Sequence, residues 1–173
     1  MNKTNIVLTG LMGSGKTTVG NLFALEYPEY EFADSDEIIV ETMNMSVSTI
    51  FEKYGEEKFR QIEKNVIFNL TDSEKNIISL GGGAFEDSET RKSLLDNAVV
   101  FYLKASVDTL YERIKDDDSR PLLMTENPKQ KLEELLKIRE PHYNEAHYII
   151  DTDLLSPYNI VKEIKRRLDE RTD

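Results

Sequence analysis

The chain contains no cysteine, which excludes a disulfide framework, a thiolate nucleophile and any zinc site built on thiolates. It is also short of positive charge. Twenty-two Lys and Arg against 33 Asp and Glu leave a net charge of −11, and the field of such a protein repels nucleic acid and anionic membranes. Long apolar runs are missing too: the longest, Ala98 to Leu103, has six residues, where a membrane helix needs roughly 20. Met1 to Met12 carries one lysine and an apolar run broken by Thr9 and Gly10, with no small-residue cleavage pattern, so a cytoplasmic protein without a signal peptide is expected. There is no internal repeat and no Pro/Gly/Ser-rich linker. What is present suffices for one core: 173 residues, of which 39% are hydrophobic and 9% aromatic, fit a single domain over 1–173.

Six of the eight glycines fall in two clusters, Gly10/Gly13/Gly15 and Gly81/Gly82/Gly83, and each cluster follows an apolar run. Such clusters suit a backbone that approaches something closely. Five runs read as strands: Asn5 to Thr9, Glu31 to Ala33, Ile77 to Leu80, Val99 to Leu103 and Tyr148 to Ile150. They are continuously apolar more than alternating, as strands buried on both faces are. Between them lie helical spacings: Phe59, Ile62, Val66, Ile67 and Leu70; Leu110 and Ile114; Ile160, Val161, Ile164 and Leu168. Alternating strands and helices predict an α/β fold with a five-stranded parallel sheet covered by helices on both faces. Ligands of such sheets bind beyond the carboxyl ends of the strands, where both glycine clusters fall.

Gly10-Leu11-Met12-Gly13-Ser14-Gly15-Lys16-Thr17 matches GxxxxGK[ST] at every fixed position, with a strand before it and a helical pattern after it. In this arrangement successive backbone N–H groups converge on phosphate oxygens. The helix N-terminus adds its dipole, Lys16 a point charge, and the Thr17 hydroxyl a ligand for Mg²⁺. A nucleoside triphosphate is the expected ligand. No guanine-reading NKxD sequence follows the later strands, which disfavours a GTPase.

The acceptor side must come from other residues. Asp34-Ser35-Asp36 follows the second strand at the same sheet edge; one carboxylate there can position Mg²⁺ while the other accepts a hydrogen bond from the attacking hydroxyl. Either aspartate could equally cap the next helix. Only eight arginines are available. Arg60 stands three residues before Glu63 on one helical face, a spacing that also makes an ordinary surface ion pair. Arg120 opens Arg120-Pro121-Leu122-Leu123 after an acidic run in a stretch of little periodicity, which reads either as a lid or as a plain surface loop. Arg139 precedes Glu140-Pro141 at a helix end, where it could simply complement the helix dipole.

Together these residues carry a resemblance. The phosphate loop, Asp34-Ser35-Asp36, Phe59-Arg60 with Glu63, Gly81-Gly82-Gly83, Arg120-Pro121-Leu122-Leu123 and Arg139-Glu140-Pro141-His142-Tyr143, in that order across essentially the whole chain, resemble shikimate kinases. The resemblance implies a nucleoside monophosphate kinase-like P-loop fold with strand order 2-3-1-4-5. It divides the domain into a core (1–33, 72–112 and 143–173), a substrate-binding helical segment at about 34–71 and a lid at about 113–127. It implies a monomer that transfers phosphate from ATP, with Mg²⁺, to the 3-hydroxyl of shikimate on the route to aromatic amino acids. By the same resemblance Lys16, Asp36 and Arg120 are catalytic, and Gly13, Ser14, Gly15, Lys16, Thr17, Thr18, Arg113, Arg120 and Pro157 bind the nucleotide. Thr17 and Asp34 serve the metal, Asp34 through its water shell. Asp36, Arg60, Gly81, Gly82, Gly83 and Arg139 bind shikimate, with the two arginines on its carboxylate and Glu63 orienting Arg60. The family often has arginines in the adenine-side loop, where this chain has Leu154 and Leu155. Two other readings remain: a kinase of another small polyol acid such as gluconate or of a nucleotide, and a catalytically silent nucleotide-binding partner protein.

Overall fold

The computed structural model describes residues 4–116 and 125–172. Five strands form one sheet: β1 (Asn5–Thr9), β2 (Glu31–Asp34), β3 (Asn76–Ser79), β4 (Ala98–Lys104) and β5 (Tyr148–Asp151). Their order is β2-β3-β1-β4-β5 and every pairing is parallel, as the resemblance implies. The central strands β1, β3 and β4 are buried along almost their whole length, which is why they read as unbroken apolar runs. The edge strands β2 and β5 are partly exposed. Relative to the expected strands, β2 gains Asp34, β3 starts at Asn76 and ends before Leu80, and β4 and β5 each extend by a residue or two. Strand ends are set by ladder partners, such as Asp34 opposite Ser79, which a single run of sequence does not display.

Helices cover both faces. On one, α1 (Lys16–Glu26) and α7 (Pro157–Thr172) pack Val19, Phe23, Ile160, Val161 and Ile164 against Ile6, Leu8, Val99, Phe101 and Leu103. On the other, α4 (Ser88–Asn97), α5 (Val107–Ile114), α6 (Pro128–Tyr143) and the second half of α3 (Val47–Asp72) enclose Val7, Ile78, Val100 and Tyr102. Each fully buried large side chain contributes roughly 1.5–3 kcal/mol relative to exposure, so these two layers hold the sheet edge rigid beneath the site. Buried Asn5 ties the layers at the opposite end: its Oδ1 accepts from Asn76 N at 2.9 Å and its Nδ2 donates to the carbonyl of Thr71 at 3.1 Å.

After β2 the chain leaves the sheet as α2 (Ser35–Met43) and α3, which share a small core of Ile39, Ile50 and Phe59. α3 is kinked at Gly55, where φ of 80° and ψ of 168° interrupt the helix in a conformation that glycine adopts without strain. Phe59, Arg60 and Glu63 follow the kink.

Candidate active site

The carboxyl ends of β1, β2 and β3 supply the site, and the loop after β1 forms its floor. Gly15 caps α1 with φ of 94° and offers no side chain to the first helical turn, so those N–H groups face an anion-attracting helix end that has no side-chain cap. A Cβ at Gly15 would meet nothing within 4 Å. Lys16 bends back over the loop, its Nζ donating to the carbonyls of Gly10 at 2.8 Å and Leu11 at 3.2 Å. The Ser14 hydroxyl is buried in the loop with no hydrogen-bond partner among the described residues. A buried donor without an acceptor is costly, and a phosphate oxygen is an acceptor of the kind the loop lacks.

Beside the floor, Thr17 Oγ1 donates to Asp34 Oδ2 at 2.8 Å and lies 3.5 Å from Ser79 Oγ. The other oxygen of Asp34 accepts from the backbone N–H of Asp36 at 3.0 Å and Glu37 at 3.4 Å. Asp34 is therefore a cap, through Oδ1 on α2, and its Oδ2 meets the P-loop hydroxyl. No group of three or more His, Cys, Asp or Glu able to hold a metal occurs among the described residues. One hydroxyl and one carboxylate are the kind of sparse donor set that suits Mg²⁺, an ion that keeps most of its water and leans on substrate phosphates.

The glycine run after β3 is the joint of the opposite wall. Gly81 N donates to the buried Ser35 hydroxyl at 3.0 Å, which fastens the run to the start of α2. A Cβ at Gly81 would stand 2.5 Å from Asp36 Oδ1 and 3.0 Å from Glu63 Oε1; at Gly83 it would stand 2.6 Å from Arg60 Nη2. Side chains there would fill the space that these charged groups occupy. Arg60 is held by Glu63 at 2.6 Å, with Glu56 at 3.6 Å and the Phe59 ring beneath it. Glu63 is 4% exposed, and burial, opposed by the Arg60 charge, lifts its pKa to about 6. Arg139 reaches in from α6 to donate Nη1 to the Gly82 carbonyl at 3.0 Å, and the Tyr143 hydroxyl donates to the same oxygen at 2.6 Å. Arg139 thus does more than complement its own helix end, and α6 continues through Pro141 to Tyr143.

A cavity of about 510 Å³ joins the two walls, within the range of small-molecule sites. Lys16, Thr17, Asp34, Asp36, Gly82 and Arg113 all line it, with Gly13, Gly15 and Thr18 on its floor. Arg60, Gly81, Gly83, Arg139 and Pro157 stand outside that lining. Arg113 occupies the last turn of α5, inside a helix, where it donates to Gly13 O at 3.3 Å, Thr152 Oγ1 at 3.2 Å and Thr152 O at 3.0 Å. It locks the P-loop to the loop after β5. Asp153 secures that loop again by accepting from Ser106 N at 2.9 Å, a bond that holds its carboxyl below the usual range. Pro157 is the first residue of α7, behind Ser156, whose hydroxyl accepts from Asn159 N at 3.2 Å. Leu154 projects from the loop almost fully exposed, whereas Leu155 packs on the core. Arg120, and with it most of the expected lid at 113–127, lies outside the described residues.

Three partners were not anticipated from the sequence: Ser35 on the Gly81 N–H, Thr152 on Arg113 and Tyr143 on the Gly82 carbonyl. Each acts on backbone or across 39 to 61 residues of chain; Ser35 and Tyr143 belonged to motifs noted in the sequence, but without these partners.

A family model described as shikimate kinase matches residues 12–169. A shikimate kinase of Thermodesulfovibrio yellowstonii is 42% identical over 160 residues, covering 92% of this chain and 92% of its own length. The solved structure of shikimate kinase from Acinetobacter baumannii in complex with shikimate superposes with a TM-score of 0.92 at 40% identity, covering 98% of this chain and 95% of that one. A gluconokinase from Sinorhizobium meliloti, at TM-score 0.65 and 19% identity over 97% and 93% of the two chains, shares the fold.

Proposed function

The chain belongs to the shikimate kinase family, and from that premise we propose that it transfers the γ-phosphoryl group of ATP to the 3-hydroxyl of shikimate, releasing ADP and shikimate 3-phosphate. The observation that carries this reading is the glycine run: Gly81 to Gly83 bring Asp36, Arg60 and Arg139 together across from the phosphate loop. That joins a polyol-facing carboxylate and two carboxylate-binding guanidinium groups to a triphosphate cradle.

In-line phosphoryl transfer needs little covalent chemistry from the protein, so its residues position and stabilise charge. The loop N–H groups, Ser14 and Thr18 hold the phosphates, and Lys16 exchanges the Gly10 and Leu11 carbonyls for phosphate oxygens, spreading the charge that develops in transfer. Asp36 accepts the hydrogen bond of the 3-hydroxyl and turns its lone pair toward phosphorus. Arg60, steadied by Glu63, and Arg139 bind the shikimate carboxylate, for which planar guanidinium donors are suited. The backbone of Gly81 to Gly83 lies against the ring. Arg113 and Pro157 border the adenine, and Arg120 reaches the phosphates. Thr17 and Asp34 would hold Mg²⁺, which when bound supplies charge neutralisation to the phosphates. We assign the core to 1–33, 72–112 and 143–173, the substrate-binding segment to about 34–71 and the lid to about 113–127, in a protein that works as a cytoplasmic monomer. No helix among the described residues is long and apolar enough to cross a membrane.

The test is Mg²⁺-ATP turnover by coupled ADP release with shikimate, gluconate and a nucleoside monophosphate panel offered in parallel. Shikimate-dependent turnover is expected. Turnover with another acceptor alone would reassign Arg60 and Arg139, and ATP binding without any acceptor-dependent ADP release would make the chain a silent nucleotide-binding protein.

A further inference from the structure

We propose that Tyr143 is a positioning residue for the acceptor: its hydroxyl holds the Gly82 carbonyl, so that Arg139 is free to leave that carbonyl for the substrate's carboxylate. The inference rests on the assignment of Arg139 to that carboxylate. Two donors meet at one oxygen, Arg139 Nη1 at 3.0 Å and Tyr143 Oη at 2.6 Å, and they stand four residues apart on one face of α6. A carbonyl oxygen can accept both bonds. The Gly82 carbonyl is partly buried at the cavity wall, and without Tyr143 it would hold on to its last donor, so that Arg139 would be divided between the loop and the substrate.

Tyr143 is suited to be the donor that stays. It is fully buried, its ring packs against Tyr102 with centroids 5.1 Å apart, and burial pushes its hydroxyl pKa up to about 12, so it remains protonated at any working pH. Arg139 is suited to be the donor that moves, since its guanidinium carries five N–H groups on a flexible stem. The rest of the loop is tied down separately. Ser35 holds Gly81 N at 3.0 Å, and Arg91 Nη1 donates to the carbonyls of Phe85 at 2.9 Å and Glu86 at 3.1 Å. Loss of the Tyr143 hydroxyl alone therefore acts at Gly82 and leaves the ends of the loop fastened.

Tyr143→Phe removes that hydroxyl and keeps the ring. With Mg²⁺-ATP saturating, the KM for shikimate is expected to rise about tenfold, while kcat stays within threefold and the KM for Mg²⁺-ATP within twofold of the parent. Replacing Tyr143 with 4-aminophenylalanine, which retains a donor at the ring tip, should return the shikimate KM to within threefold of the parent. Should Y143F not fold, 4-methoxyphenylalanine at this position, similar in size but without a donor, makes the same comparison with the amino analogue. A shikimate KM within twofold of the parent in the donor-free variant overturns the proposal, whatever its melting temperature, because a purely structural bond would lower stability without moving KM. A loss carried by kcat at saturating shikimate overturns it as well. Failure of the underlying assignment is separately visible: the parent would then show no shikimate-dependent ADP release.

Discussion

Gly81→Ala isolates the role of the glycine run. A Cβ there would stand 2.5 Å from Asp36 Oδ1 and 3.0 Å from Glu63 Oε1, and the backbone at Gly81 is outside the left-handed region, so alanine adds crowding without backbone strain. Bringing the first distance to an ordinary contact of 3.4 Å moves the Asp36 carboxylate by about 0.9 Å. A displacement of about 1 Å in a group that orients the nucleophile costs on the order of 10² in rate. The atoms that must yield are side-chain ends, so the stability loss should stay within the roughly 1–3 kcal/mol of overpacking substitutions. The assay is steady-state ADP release with shikimate, beside calorimetric ATP binding and thermal melts. Gly81→Ala should lose about 10² in kcat and keep its ATP affinity. Gly82→Ala, whose Cβ would lie an ordinary 3.4 Å from Arg139 Nη1, should stay within a fewfold of the parent. Gly83→Ala meets Arg60 Nη2 at 2.6 Å, the end of a long arm that can swing aside, and should chiefly raise the shikimate KM. A Gly81→Ala protein within threefold of parental kcat, or a Gly82→Ala protein equally impaired, would refute the reasoning.

Three further outcomes follow from neighbouring geometry. Lys16→Met keeps most of the stem while deleting the charge over the loop, and kcat should fall by at least about 10² in the same ADP assay; near-normal turnover would remove Lys16 from the chemistry. Asp34→Asn retains an oxygen to cap α2 but weakens the anionic partner of Thr17, so the Mg²⁺ concentration for half-maximal rate should rise on the order of tenfold with little change in melting, and an unchanged Mg²⁺ dependence would count against the pair. Glu63 titrates near 6 in the folded protein against 4.5 in the unfolded chain, so the folded state holds the extra proton between those values. Stability contributed by this group is therefore lost as pH rises from about 4.5 to 6, by roughly 2 kcal/mol. Denaturation of Glu63→Gln between pH 4.5 and 7 should lack this component, and parallel pH profiles for the two proteins would exclude Glu63 as its source.

The sheet was legible because β1, β3 and β4 are buried on both faces, and burial on both faces leaves an uninterrupted apolar run that sequence alone displays. The phosphate loop was legible because its chemistry is local: Gly10 to Thr17 both make the turn and present the donors. Asp34 was half legible. Its position at a strand end allowed either a cap or a metal partner; the fold shows the cap, made by one oxygen, and leaves the other oxygen on the Thr17 hydroxyl. Tyr143 and Ser35 were hidden for a different reason. Both act on backbone atoms of the glycine run, at separations of 61 and 46 residues, and a backbone carbonyl or N–H leaves no mark on sequence at the partner position.

Net charge misleads at this site for the same reason that local geometry decides it. A protein at −11 would seem ill suited to two anionic substrates, yet much of its basic charge outside the site is cancelled locally. Arg166 and Arg167 both bond Glu163 on α7, Lys64 pairs with Glu89, and Lys104 with Glu140. Around the cavity the pattern inverts. Arg113 donates to two carbonyls and a hydroxyl, and Arg139 to a carbonyl, so among the described residues neither guanidinium spends these hydrogen bonds on a carboxylate. A cation bonded to neutral oxygen keeps its field, and in a cleft with low-dielectric walls that field acts on an entering anion more strongly than the distant acidic surface does. Arg60, the site arginine that is bonded to an acid, faces the residue whose burial raises its pKa, so even that compensation weakens as the pH falls toward 6. Arg113 and Arg139 therefore keep their charge for an entering anion by the choice of hydrogen-bond partners, without any change in the overall balance of charge.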